Sequence, residues 1–150
     1  EKIGIKIKKA SLEEVSKQDI LTTTTPSRNP IVKNEWLVPG MHINAVGADA
    51  EGKEELDPEI LKRAKIVLDD WTQASHSGEI NVPVAKGIIK KEDIYGSLGE
   101  VVAGIKKGRE NNEEITVFDS TGLALQDLFT AAMVYEEAIK PRIGKDIKIF

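Results

Sequence analysis

The sequence has 150 residues, 40% hydrophobic and 31% charged, which is enough for one folded domain with a hydrophobic core. Its net charge of −4 offers no basic surface for phosphates, which argues against nucleic acid as a partner. The absence of cysteine excludes disulfide and thiolate chemistry. Because neither a membrane-spanning apolar run nor a signal peptide is evident, we expect a cytoplasmic protein without a membrane partner.

Caps and turn residues divide the first half of the chain into alternating strands and helices. Ser11, with Glu14 at the capping-box position, predicts a short helix. Asp57 as an N-cap, followed by Pro58, predicts a second. These helices cover residues 11–18 and 57 to about 64. The predicted strands are 3–7, 19–25 and 41–46, rich in β-branched or alternating apolar residues.

Strands and helices also alternate in the second half of the chain, on either side of a predicted loop. Ser97 predicts a helix over 98–107, with Gly108 beyond its end. Ser120 or Thr121 is expected to open a long amphipathic helix through about Ile139. Residues 79–95 are expected to be mostly loop. The predicted strands are 66–68, 115–118 and 147–150, and a helical turn reaches residue 77. Alternating strands and helices predict an α/β fold with a mostly parallel sheet.

Polar residues follow four of these strands. In parallel sheets the carboxyl ends of the strands form the crevice where ligands bind. Hydroxyls, amides and glycine backbone that a ligand can approach closely would suit a sugar-phosphate. An ionisable residue among them could act as a base. Polar residues also dominate ordinary turns, so each cluster taken alone fits a structural role equally well. The clusters are residues 22–25; Asn44, Gly47 and Asp49; Asp69 and Asp70; and residues 119–121.

Several segments resemble the ornithine cyclodeaminase and mu-crystallin family, over nearly the whole chain. They include P-G-M-H-I-N-A-V-G-A-D-A-E-G-K at 39–53, of which residues 42–53 are the most specific part. In the family's order, D-I-L-T-T-T-T-P-S-R at 19–28 precedes it and I-T-V-F-D-S-T-G-L-A-L-Q-D at 115–127 follows it. Within the family, H-S-G-E-I-N-V at 76–82 is most similar to archaeal alanine dehydrogenases, which interconvert alanine with pyruvate and ammonia. The resemblance implies a Rossmann-like sheet with helices on both faces, and NAD or NADP as the cofactor.

The resemblance also implies roles for particular residues. Asp49 would be the catalytic acid or base beside the reacting carbon, and Thr121 would border the substrate. The residues that it places at the cofactor are Thr23, Asn44, Ala45, Gly47, Lys53 and Ser120. No metal site is expected: the two histidines lack ligand spacing, and a helix N-cap explains Asp69 and Asp70 more simply.

A carboxylate at position 49 suits the implied reaction. Loss of hydride from the amine-bearing carbon leaves an iminium, which water attacks to release ammonia. Asp49 could stabilise that cation, orient the water and accept its proton, and its competence as a base would depend on partial burial raising its pKa. Without the resemblance, Asp49 is typical of a turn and Lys53 of an exposed surface. His76 and the pairs Glu13–Glu14, Glu54–Glu55 and Glu113–Glu114 are predicted to be solvated, and both tryptophans to pack.

The family's glycine-rich pyrophosphate turn is missing from the sequence, which starts at Glu1 without an initiator Met. We therefore expect residues 1–150 to be the carboxyl-terminal part of a dinucleotide-binding domain that lacks its first strands and is inactive alone. Its last helix would pack toward a missing amino-terminal domain. The expected parent is a homodimeric alanine dehydrogenase acting on a small amino acid or keto acid. The high Lys, Glu and Ile content fits a thermophilic source, and the resemblance to archaeal members of the family implies an archaeal one.

Three alternatives remain open from the sequence. One is ornithine cyclodeamination, in which the substrate's own amine, instead of water, attacks the iminium to give proline. Another is a mu-crystallin-like binding protein with ketimine reductase activity. The third is an α/β domain of unrelated function.

Overall fold

A sheet of five parallel strands forms the centre of the computed structural model, which describes residues 4, 6–141, 143–145 and 147. The strands are β1 (Ile20–Thr23), β2 (His42–Ala45), β3 (Lys65–Leu68), β4 (Gly96–Ser97) and β5 (Thr116–Asp119). Their order across the sheet is β1, β2, β5, β3, β4, so the strand that comes last in the chain lies at the centre. Every adjacent pair is parallel, as the sequence predicted.

Helices precede, connect and follow these strands. The α-helices of the described residues are α1 (Leu12–Val15), α2 (Pro58–Arg63), α3 (Trp71–Ser77), α4 (Asn81–Ala85), α5 (Leu98–Val102) and α6 (Ala124–Ile139), with 3-10 turns at Asn34–Trp36 and Lys91–Asp93. Three predicted caps are confirmed: Ser11 and Ser97 form capping boxes, and the Asp57 carboxylate accepts the Glu59 N–H.

One face of the sheet holds the hydrophobic core. Alternate residues of each long strand point into it, and Ile43, Ile66 and Val117 are at most 1% exposed. Ile60 and Leu61 of α2 pack against them, together with residues of α3 and α4. These side chains account for the apolar pattern of the strands and hold the sheet in one register.

The second face of the sheet lies on the side of α5. The chain moves one way across the sheet from β2 to β3 and β4, then back to β5. Because such crossovers are right-handed, the returning helix lies on the opposite face from α2, α3 and α4. Leu98 and Val101 of α5 border a groove there with His42 and Asn44. The expected helices on both faces are thus confirmed.

The predicted end of α5 and start of α6 were wrong for identifiable reasons, and α1 ends at Val15 rather than at the predicted Gln18. α5 ends five residues early in a Schellman motif: Gly104 has φ +72°, and the Ile105 N–H donates to the Glu100 carbonyl. α6 begins at Ala124 rather than at Ser120 or Thr121, because the preceding residues bind a carboxylate described below. Residues 79–95 are mostly loop and turn, as predicted, and also contain α4 and a 3-10 turn; Pro83 fits the first turn of α4.

The predicted terminal strands fall partly outside the described residues. Of 3–7, the described Gly4, Lys6 and Ile7 are not in a strand, and of 147–150 only Ile147 is described, also outside a strand. No helix in the described part of the chain has the length and hydropathy needed to cross a membrane.

Candidate functional site

The carboxyl ends of β1, β2 and β5 meet at one edge of the sheet. Thr23, Ala45 and Asp119 are register partners in these strands. One residue further on, the Val46 N–H donates to the Thr23 carbonyl over 3.0 Å, and the Ser120 N–H donates to the Ala45 carbonyl over 2.9 Å. The structure therefore brings Thr23, Ala45 and Ser120, with Gly47 just beyond β2, to one edge, where their cofactor role remains a prediction.

The loop after β2 carries the predicted catalytic carboxylate. Asp49 forms an ion pair with Lys53, whose side chain is only 18% exposed, whereas that of Asp49 is 68% exposed. The hydrogen bond from Lys53, and then its positive charge, lower the pKa of Asp49. The burial that would raise this pKa is not present in this structure, because Asp49 is exposed and paired with a cation. Lys53 is correspondingly not the free surface lysine that its position in a turn suggested.

Two further predicted residues differ in what they offer a ligand. Thr23 is 5% exposed, and its hydroxyl oxygen has no hydrogen-bond partner among the described residues. Asn44 points from the opposite face of the sheet, where its side-chain oxygen contacts His42 Nε2 at 3.0 Å and its amide donates to the Thr22 hydroxyl over 3.4 Å. Any contact of Asn44 with a ligand at the strand ends would therefore involve its backbone.

Thr121 is held by the carboxylate that follows β3. Asp69 accepts the Thr121 N–H at 2.6 Å, the Thr121 hydroxyl at 2.8 Å and the Gly122 N–H at 3.2 Å. These bonds, together with φ +75° at Gly122, keep residues 120–122 out of the following helix. Asp70 has the predicted capping role, accepting the Gln73 N–H of α3 at 2.8 Å.

Sequence reasoning missed a set of buried carboxylates behind this edge. We call Asp119, Glu79 and Glu55 the carboxylate series; all three are at most 1% exposed. Asp119 accepts the N–H groups of Glu79 and Ile80 at 3.0 and 3.1 Å. Glu79 in turn accepts those of Glu55 and Leu56 at 2.8 and 2.6 Å. The prediction of solvated Glu54 and Glu55 was wrong, because loop N–H groups away from water need acceptors.

Gly78, between α3 and α4, packs closely against the Asp119 carboxylate. A Cβ added to Gly78 would lie 2.6 and 2.7 Å from the two Asp119 carboxylate oxygens and 2.8 Å from the Ala74 Cα. Gly78 has no positive φ, so its role is to allow this close approach, and the sequence alone does not distinguish it from a glycine in an ordinary turn.

Burial controls the protonation of two members of the series. Desolvation raises the pKa of Asp119 to about 7, against the opposing effect of its backbone hydrogen bonds, and the charge of Asp69 adds to the rise. Desolvation also raises the pKa of Glu79 well above its usual range, with further increases from Asp119 and Glu55. Both groups therefore favour the protonated form relative to an unfolded chain.

This burial predicts the pH dependence of stability. Between pH 4 and 7 the folded state retains the Asp119 proton that the unfolded state releases, so stability should fall as pH rises through this window. At about 1.4 kcal/mol per pKa unit, Asp119 contributes up to about 4 kcal/mol of this fall, and Glu79 acts in the same direction. Asp119→Asn should flatten the dependence, as measured by urea unfolding at several pH values. Parallel curves for the two proteins would contradict it.

Comparisons with known proteins identify the family. The profile of the ornithine cyclodeaminase/mu-crystallin family matches residues 1–141. The chain belongs to this family. It is 58% identical over 147 residues to alanine dehydrogenase of Archaeoglobus fulgidus, covering 98% of this chain and 46% of that protein.

Solved structures of family members share the fold. An archaeal alanine dehydrogenase dimer with bound NAD superposes with a TM-score of 0.91 at 58% identity, covering 99% of this chain and 47% of the other. Delta(1)-pyrroline-2-carboxylate reductase of Thermococcus litoralis, with NADH and L-proline, gives 0.87 at 42% identity, covering 97% and 46%. The chain thus spans about half the length of these family members, and the Rossmann-like α/β fold is confirmed.

Proposed function

We propose that this chain is the carboxyl-terminal half of an NAD-dependent amino-acid dehydrogenase that converts L-alanine to pyruvate and ammonia, and back. The observation that carries the proposal is the exposed Asp49, paired with Lys53 on the loop after β2, at an edge where three parallel strands end. The 58% identity to alanine dehydrogenase supports alanine as the substrate.

The residues at this edge fit a nicotinamide cofactor. The Thr23 hydroxyl has no partner among the described residues, and Lys53 supplies a cation that a ligand oxygen could share. We infer that these two residues, with the backbone of Asn44, Ala45 and Gly47 and with Ser120, form one wall of the NAD site. When bound, NAD would take up hydride from the amine-bearing carbon of the substrate.

The reaction assigned to Asp49 follows from its charge and exposure. Its lowered pKa keeps it ionised at neutral pH, so it can stabilise an iminium and orient the attacking water. A ligand that drew Lys53 away would remove the cause of the lowered pKa and make Asp49 a better proton acceptor. Thr121, fixed by Asp69, would border the substrate.

We further propose that the full-length protein supplies the rest of the site. Its other half would carry the glycine-rich turn and the groups that bind the substrate carboxylate. The long helix α6 has no buried residue, and its large apolar side chains are more than half exposed, among them Leu128, Phe129 and Met133. This surface suits packing against the amino-terminal domain. We further infer that the full-length protein is a homodimer, as the archaeal relative is.

A coupled assay of the full-length protein tests the proposed reaction. We expect NAD-dependent formation of pyruvate and ammonia from L-alanine, with lower activity on ornithine and with NADP. Proline formation from ornithine would instead establish a cyclodeaminase. NADH-dependent reduction of Δ1-pyrroline-2-carboxylate without alanine oxidation would establish a cyclic-imine reductase, and tight NAD binding without turnover a mu-crystallin-like binding protein.

A further inference from the structure

The loops that follow β1 and β2 are joined by a single buried side chain. Glu55 is fully buried, and its two carboxylate oxygens bind different loops: Oε1 accepts the Thr25 N–H at 2.6 Å and Oε2 accepts the Gly47 N–H at 3.1 Å. Thr25 lies two residues beyond Thr23, and Gly47 two residues before Asp49. One buried carboxylate therefore links the loop that follows Thr23 to the loop that carries Asp49. The Arg28 side chain, bound to the Glu51 carbonyl, and the Glu54 N–H, bound to the Ser27 carbonyl, join the same two loops further from the strand ends.

The packing at Gly47 shows that the separation is narrow. A Cβ added there would lie 2.5 Å from the backbone N and O of Thr25 and 2.5 Å from Glu55 Oε2. Two backbone segments and a carboxylate thus meet with no space for a methyl group. Hydrogen bonds rather than apolar contacts stabilise this close packing of the two loops. It therefore depends on both oxygens of Glu55 acting as acceptors.

Glu55 itself is fixed from the centre of the sheet. Glu79 accepts its N–H, and Asp119, the last residue of β5, accepts the N–H of Glu79. The carboxylate series thus runs from the end of the central strand to the two loops. Since each member binds the backbone of the next, the position of the Glu55 carboxylate is set by the sheet and not by the mobility of a surface loop.

We propose that Glu55 is a positioning residue for the cofactor: it holds the loop that follows Thr23 and the loop that carries Gly47 and Asp49 at the spacing that lets their residues line one nicotinamide site. This inference rests on the proposed function. Glu55 is not expected to touch substrate or cofactor, because it is fully buried behind the loops. Its loss should therefore weaken NAD binding through the loops while the substrate-binding groups elsewhere remain.

The test uses Glu55→Gln in the full-length protein. The amide keeps the size of the side chain but places an NH2 donor against either the Thr25 or the Gly47 N–H, so one loop loses its acceptor. We expect the Kd and KM for NAD to rise at least tenfold, with the KM for alanine within twofold of the wild type. Glu55→Asp keeps two acceptor oxygens on a shorter side chain and should give a smaller rise, which keeps the test decisive if the first variant folds poorly.

Glu54→Gln is the matched control. Glu54 is also buried, at 5% exposure, and its N–H donates to the Ser27 carbonyl, which the substitution leaves unchanged. Its side chain pairs with Lys86 at 3.5 Å and makes no hydrogen bond to either loop among the described residues. It should change the unfolding midpoint without changing the Kd for NAD more than twofold. A Glu55→Gln variant that loses stability but binds NAD normally, or an equal loss of affinity in Glu54→Gln, would overturn the inference. Failure of the wild-type protein to bind NAD would refute the proposed function first, before any variant is compared.

Discussion

Asp49→Asn in the full-length protein should lower kcat for alanine oxidation by about 10²- to 10⁴-fold, the usual contribution of a general acid or base. The amide can neither accept a proton from water nor offset a developing positive charge. Since Asp49 is exposed and its only described ionic partner is Lys53, the fold should be unaffected. NAD affinity should change little, so the loss should appear in kcat under saturating cofactor, measured by steady-state kinetics with matched unfolding curves.

Asp57→Asn is a suitable control for this variant. Asp57 caps α2 through the Glu59 N–H, and asparagine is an equally good N-cap, so the same change of charge should have little structural effect there. Its kcat should remain within twofold of the wild type. Wild-type turnover in Asp49→Asn would remove Asp49 from the mechanism, and an equal loss in Asp57→Asn would indicate a general effect of net charge.

Gly47→Ala should be the most damaging single-methyl change at the site. The new Cβ would lie 2.5 Å from both the N and the O of Thr25. These are backbone atoms, which cannot rotate away as a flexible side chain can. Relief of that overlap must separate the two loops or break a Glu55 hydrogen bond, at a cost of about 1–3 kcal/mol in stability. Weaker NAD binding should accompany it. Urea unfolding and calorimetry with NAD measure the two effects.

Gly99→Ala tests whether the effect is specific to that contact. Gly99 lies inside α5, and its added Cβ would find Ser97 Oγ at 3.9 Å as its nearest neighbour. Alanine is favoured over glycine in a helix by roughly 0.5–1 kcal/mol, so this variant should be equally or more stable than the wild type. Similar destabilisation of both variants would show that the close contact between Gly47 and Thr25 is not the cause of the lower stability.

The sheet could be predicted from the sequence because its signals are local. The β-branched run before Thr25 and the Asp57-Pro58 pair each specify an element through their neighbours in the chain. The end of α5 and the start of α6 were misplaced because their determinants are less visible. Gly104 gives no indication of its φ in advance, and Thr121 is held by Asp69, 52 residues earlier.

The candidate site could be predicted only where its residues lie at or just beyond the ends of strands. Thr23, Gly47 and Ser120 follow strands, so the parallel sheet alone gathers them at one edge. The buried carboxylates could not be found this way. Glu55 and Glu79 bind backbone 30 and 24 residues away in the chain, and in a sequence such a glutamate is indistinguishable from one on a solvated surface.

The central place of β5 has a consequence for how the protein is made. β5 lies between β2 and β3 in the sheet, but both of these strands are synthesised before it. More than seventy further residues are added between the end of β2 and residue 119, the end of β5. At about 5–20 residues per second, that interval is on the order of ten seconds. Throughout it the nascent chain has unpaired strand edges and lacks the acceptor of the Glu79 N–H. Chaperone capture and proteolysis would therefore compete with folding mainly before β5 emerges, and less once it has been inserted.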